Sequence, residues 1–280
     1  MIENKPSRTA QGAAMYRAAH QLADRPLVFE DPLALGIVGR EAENALRAGQ
    51  RDYGTPKAAV LRAFVAVRSR FAEDRFAEAF ERGLRQYVAL GAGLDTFAYR
   101  ARFDGLRVFE VDHRATQGWK RERLAQAAIA IPNNVVYVPV DFTSERLDEG
   151  LRNAGFDFAK PAFFAWLGVT PYLTPEEVME TLGTIAKTMK GGGEIVFDFV
   201  APATQDPQTQ GHREAFAARV RSVGEPLKSE FVPGKLADDL GALGFSQVEI
   251  TDSSTLNARY FSGREDGLML RGGQLMRTRV

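Results

Sequence analysis

The chain has 280 residues, of which 45% are apolar and 26% charged, the balance of an ordinary globular protein. Lysine plus arginine equals aspartate plus glutamate at 36 each, so there is no basic footprint for nucleic acid and no polybasic membrane anchor. Cysteine is absent, which excludes disulfides, thiolate chemistry and cysteine-based zinc sites. The opening MIENKPSRTA lacks an apolar core of signal-peptide length, and no run of about 18 apolar residues occurs. The expectation is a soluble, cytoplasmic chain of one domain without a bound metal, residues 1–83 forming a helical cap and 84–280 an α/β core.

In chain order, residues 8–24 read as a helix. DPLALGIVG starts a second, with Asp31 as N-cap and Pro32 in its first turn. From Pro56 to about Arg82, Val60, Phe64, Val67, Phe71 and Phe76 recur at helical spacing and Gly83 ends the pattern. The rhythm then changes. Strand-like runs at 86–90, 107–111, 135–140, 162–166 and 194–200 alternate with helical patterns at 114–130, 144–153 and 175–190, as in a parallel, doubly wound sheet. APATQDPQTQG, residues 201–211, reads as a linker. Two late strand-like runs, 246–252 and 272–280, suggest an antiparallel addition to the sheet edge.

The chemistry-bearing stretch is YVALGAGLDTFAYR, 87–100, where Gly91-Ala92-Gly93 follows the first strand. Ligands of open α/β sheets bind at the carboxyl ends of strands, and glycines there let backbone approach them closely. Asp112 ends the second strand 21 residues after Gly91, where a carboxylate can accept both hydroxyls of a ribose. Glu110 shares its face but lies deeper. Asp141, followed by Phe142, ends the third strand, and an acid beside an aromatic there suits an adenine ring. As a helix cap Asp141 stands early, and Thr143 is better placed. An NAD(P)-dependent oxidoreductase would explain most of this, but its fingerprint needs a small third residue where this chain has Thr96.

Taken in order, VALGAGLDTFAYR, VFEVDHRATQGWK, VPVDFT and FFAWLGVTPYLTPEEV resemble the leucine carboxyl methyltransferase-like family of S-adenosylmethionine-dependent methyltransferases, in its bacterial O-methyltransferase branch. The similarity covers roughly residues 8 to 200. It implies a class I methyltransferase (Rossmann-like) fold: an α/β, seven-stranded, mostly parallel sheet with an antiparallel last strand and an N-terminal helical cap. It further implies that Gly91, Ala92 and Gly93 lie under the methionine part of S-adenosyl-L-methionine. Asp112 would hold the ribose hydroxyls with His113 beside it, and Asp141 and Phe142 would flank the adenine. The family's arginine for the cofactor carboxylate matches Arg68 in AVRSRF, with Arg70 the second choice; a guanidinium takes a carboxylate bidentately. In one place the chain departs from the family: a glutamate in AEGLLMYL-like stretches is here Leu167, which leaves the substrate open and keeps an inactive, cofactor-binding regulator among the alternatives.

Methyl transfer from a sulfonium needs alignment, exclusion of water and a deprotonated acceptor. The implied activity is O-methylation of a carboxyl or hydroxyl on a small molecule. No residue is compelled into the role of general base. His20, His113 and His212 are the only histidines, His20 reading as a surface helix residue. Tyr16 and Tyr172 are candidates to line the acceptor pocket, Trp166 to pack in the sheet, and NARYFSGREDG, 257–267, to form a surface loop or lid.

Overall fold

A computed structural model describes residues 7–49, 53, 55–202, 207–222 and 224–280. Five strands, β1 (Gln86–Leu90), β2 (Arg107–Asp112), β3 (Val135–Pro139), β4 (Ala162–Trp166) and β5 (Gly193–Phe199), run parallel. With β6 (Ser246–Thr251) and β7 (Gln274–Arg279) they form a seven-stranded sheet in the order β3-β2-β1-β4-β5-β7-β6. β7 is antiparallel to both of its neighbours. The seven-stranded doubly wound fold expected from the sequence is therefore present, and the two late strands are added beyond β5 as an antiparallel edge, with β7 next to β5 and β6 outermost.

Alternation along the strands sends side chains to two cores. Tyr87, Ala89, Phe163 and Ala165 face one side, and Val88, Leu90, Phe164 and Trp166 the other. β1 and β4 are buried throughout, as parallel strands covered on both faces must be. On the first face lie α1 (Arg8–Ala23) and α4 (Pro56–Glu81), which pack on each other, with the short helices α2 (Ala34–Ile37) and α3 (Arg40–Arg47) beside α1. α4 opens on Thr55, whose side chain accepts the Ala58 N–H, with Pro56 in the first turn, and Gly83 follows its end at φ +100°. Phe76 anchors it, its ring meeting those of Tyr87, Phe97, Phe103 and Phe163 at 4.9–5.5 Å. α4 also runs against the strands: Arg82 at its end pairs with Glu194 at the start of β5, and Arg68 in its middle pairs with Asp198 near the end of β5.

The loop after β1 leads into α5 (Phe97–Arg100), and α6 (Arg114–Gln126) follows β2. α7 (Leu147–Asn153) and α8 (Pro175–Thr188) join α10 (Pro233–Ala242) on the second face. Several local expectations change. The helix after Asp31 begins only at Ala34, although Asp31 Oδ1 still accepts the Leu33 N–H at 3.0 Å; Asp31 is 1% exposed, pairs with Arg17 at 2.7 Å and accepts the Thr96 hydroxyl. The presumed linker at 201–211 enters α9 (Pro207–Ser222) at Pro207, while its residues 203–206 lie outside the described residues. A further helix, α11 (Ser253–Tyr260), lies between the last two strands and takes the first residues of the expected 257–267 loop.

Candidate functional site

β1 lies at the switch point, with β2 on one side and β4 on the other, so the carboxyl ends of β2, β1, β4 and β5 form one row. At the head of β1, Gly91 and Gly93 hold φ of +66° and +46°, which L side chains avoid. Every N–H of the Gly91-Ala92-Gly93 loop turns back onto β2. Gly91 and Ala92 both donate to the Val111 carbonyl, at 2.8 and 3.0 Å, and Gly93 donates to Asp112 Oδ2 at 2.6 Å. The loop thus offers a ligand close backbone approach but no cradle of free donors. That separates it from the phosphate-binding turn of a dinucleotide fold, whose N–H groups point at the pyrophosphate. Thr96, where such a fold needs a small residue, instead donates to Asp31 and accepts from Arg100 Nε.

Asp112 is nine-tenths buried, and its second oxygen accepts the N–H of His113 at 2.7 Å. Burial holds its carboxyl above the usual range even though these two N–H groups and Lys120 pull the other way. His113 caps α6, its Nδ1 accepting the Ala115 N–H. Asp141 stands near His113 but is committed to its own turn: Oδ1 accepts both the N–H and the hydroxyl of Thr143, at 2.9 and 2.7 Å. Burial raises its carboxyl, but the Thr143 and Ser144 bonds and the nearby His113 outweigh that and hold it below the usual range. The expectation that Thr143 would cap the following helix fails, since α7 begins at Leu147 after Arg146. Phe142 packs toward Trp166, ring centroids 6.2 Å apart.

Arg68 reaches the other end of the row. Its Nη1 donates to Asp198 Oδ2 at 3.1 Å, and its guanidinium lies flat against Gly168, at φ +71° just past β4. A Cβ on Gly168 would stand 2.6 Å from both Nη1 and Nη2, so only glycine seats the arginine there. Asp198, 2% exposed, also accepts the Gly168 N–H at 2.5 Å, while its backbone carbonyl accepts the Thr170 hydroxyl. Arg70, the second choice, instead faces outward and pairs with Asp74. Sequence reasoning missed Asp198 and Gly168. The available signal was a lone acid inside the apolar run EIVFDFV and a glycine directly after the fourth strand.

Beside Arg68 and Asp198 opens a cavity of about 520 Å³ walled by α1, α4 and the ends of β5 and β7. Its lining is mostly apolar, including Met15, Tyr16, Phe64, Phe199 and Leu227. Arg68, Asp198 and Tyr172 are among its polar members; Gly91, Asp112 and Asp141 are not. Between the two groups stands Val169: a Cβ on Gly91 would fall 2.3 Å from its Cγ2, and Ala10 of α1 lies over Gly93, at 3.0 Å from a Cβ there.

His20, read as a surface residue, is fully buried. Its Nε2 accepts the N–H groups of Val28 and Phe29, so Nδ1 carries the proton and donates to Asp24 at 2.8 Å. Glu110, the deeper acid, is locked to Lys120 at 2.7 Å and to the Tyr99 hydroxyl at 2.8 Å. Leu167 and Trp166 both pack in the cores, Trp166 with no exposure.

A model of the family "Leucine carboxyl methyltransferase" matches residues 10–186, well over half of the chain. The chain belongs to this family of S-adenosylmethionine-dependent methyltransferases. Among its relatives is the Bacillus subtilis "Putative S-adenosyl-L-methionine-dependent methyltransferase YktD", 30% identical, with 96% of this chain and 95% of the relative aligned. A second, from Mycobacteroides abscessus, is 30% identical over 93% of this chain and 83% of its own. The fold is shared with a "putative methyltransferase" structure from Thermobifida fusca, at a TM-score of 0.58 and 19% identity, over 99% of this chain and 96% of that one. Among the described residues, no helix of this family member is long and apolar enough to cross a membrane.

Proposed function

We propose that the protein transfers the methyl group of S-adenosyl-L-methionine to a carboxylate of a small, largely apolar molecule. The observation that carries the site assignment is the glycine loop whose N–H groups are all spent on β2, beside a buried carboxylate at the end of that strand. Such a loop suits an uncharged nucleoside lying against bare backbone, with Asp112 accepting from the ribose hydroxyls through lone pairs that Gly93 and His113 leave open. His113, Asp141 and Phe142 stand where the adenine would lie, and Arg68 answers the carboxylate of the amino-acid end. The residues present therefore fit the cofactor. A ligand along Gly91–Gly93 takes space now held by the Val169 side chain, so a rotation at Val169 accompanies binding.

When bound, the cofactor supplies an activated methyl on a sulfonium. The chain's part is to orient the acceptor and exclude water. The apolar lining of the cavity does both for a molecule of modest size. Among the described residues no histidine lines it, and burial raises the Tyr172 phenol far above its ordinary value, so neither group is a ready base at neutral pH. An acceptor already ionised needs none, which favours a carboxylate over a hydroxyl.

Calorimetric titration with S-adenosylmethionine, S-adenosylhomocysteine and NADH tests the first step; binding of NADH alone would sink it. A screen of apolar carboxylic acids against phenols of matched size tests the second. Base-labile methyl esters are expected, and base-stable ethers alone would move the acceptor to a hydroxyl.

A further inference from the structure

The family glutamate is missing here, and Leu167 in its place packs into the core, where it offers a ligand no charge. The cavity wall nevertheless holds a buried acid, Asp198, that sequence reasoning did not single out. Resting on the methyltransferase reading above, we propose that Asp198 binds the ammonium group of the cofactor's amino-acid end while Arg68 takes its carboxylate. The ion pair thereby reads the zwitterion and supplies the charge that Leu167 lacks.

Three contacts fix the acid before any ligand arrives: Arg68 Nη1 on Oδ2, the Gly168 N–H on Oδ1, and the Thr170 hydroxyl on its backbone carbonyl. A carboxylate has about four acceptor sites, so each oxygen keeps a free lone pair. Arg68 spends only Nη1 on Asp198, and its planar fork leaves other N–H donors for a second carboxylate. On the cavity wall the pair's unused hydrogen-bonding capacity is open to a bound ligand, which a pair sealed inside a core would not offer. Against a bound zwitterion the same arrangement becomes complementary, charge for charge. Gly168 is part of the device, because any side chain there would lift the guanidinium off the strand end and away from Asp198.

The test compares three ligands by calorimetry on the full chain and on Asp198→Asn, which keeps the shape and the Gly168 acceptor. The ligands are S-adenosylhomocysteine, its analogue lacking the amino group, and 5′-methylthioadenosine, which lacks the amino-acid end. The wild-type protein should bind S-adenosylhomocysteine about 10-fold or more tighter than the deamino analogue, the scale of one charge-assisted hydrogen bond. Asp198→Asn should erase that difference while leaving methylthioadenosine affinity unchanged. Equal wild-type affinity for the first two ligands overturns the proposal without reference to any variant. So does an Asp198→Asn protein that still discriminates, or one that loses all three ligands by the same factor. Failure of the wild-type protein to bind S-adenosylhomocysteine at all would instead overturn the methyltransferase reading itself.

Discussion

The carboxylate of Asp112, at the end of β2, accepts the backbone N–H of Gly93, in the loop after β1, at 2.6 Å. This bond makes one unit of two sequence features 19 residues apart, because it sets the acid and shapes the loop together. Asp112→Ala should therefore weaken S-adenosylhomocysteine binding by about 1–3 kcal/mol, from lost ribose acceptors and a loosened loop. Unchanged affinity in a folded variant, measured calorimetrically, would remove Asp112 from the site.

The same acid sets a pH dependence. Burial raises its carboxyl above 3.8, and a ribose favours the ionised form. Affinity should then be flat near neutrality and fall on acidification through the raised Asp112 value, beginning at a higher pH than an exposed aspartate would give. Asp112→Asn should flatten that limb. An acid limb that persists unaltered in the variant belongs to another group.

Arg68 and Arg70 differ by two positions and by everything around them. Arg68 is seated on Gly168 and Asp198 and faces the cavity, whereas Arg70 is exposed and pairs with Asp74. Arg68→Ala should cost about 1.5–3 kcal/mol of cofactor affinity, the worth of a hydrogen bond to a charged group. Arg70→Ala should stay within about 0.5 kcal/mol. The reverse ranking in titrations of the two variants would show that the wrong arginine has been chosen.

Val169 fills the space over Gly91, so its removal should favour the bound state. Val169→Ala is expected to tighten S-adenosylhomocysteine binding by about 0.5–1.5 kcal/mol, the cost of holding a displaced side chain. Gly91→Ala should have the opposite effect, since a methyl there meets Val169 and must also hold φ +66°. If Val169→Ala weakens binding, the side chain is a contact and not an obstacle.

Asp24 joins α1 to α4. It takes Nη2 and Nε of Arg62, at 2.9 and 3.0 Å, and the His20 ring. Asp24→Ala leaves a buried guanidinium without its carboxylate and should cost about 3–5 kcal/mol in urea unfolding. Burial raises the Asp24 carboxyl, but His20 and Arg62 bring it below its ordinary 3.8. A depressed carboxylate stabilises above its unfolded value, and that contribution should drain away as pH falls through the lowered one. A loss under about 1 kcal/mol in the Ala variant would mean water reaches Arg62.

Much of this was legible in the chain because local rules sufficed. Period-two and period-3.6 patterns located β1 to β5 and α4, strand ends singled out Gly91, Gly93 and Asp112, and Arg68 came only from the family resemblance. The sequence could place Asp112 at a strand end, since that needs only the strand. What it could not express were contacts between distant segments. His20 reads as a surface residue until Val28, Phe29 and Asp24 close around it. The two late strands read as an edge addition, but only pairing decides that β7 lies against β5 and β6 outermost. Asp198 meets Arg68 only because α4 crosses the sheet and lays the arginine against it, 130 residues away along the chain. Periodicity is a property of neighbours in sequence. Ion pairs and cavity walls are made between elements, and the tertiary structure alone decided which residues those would be.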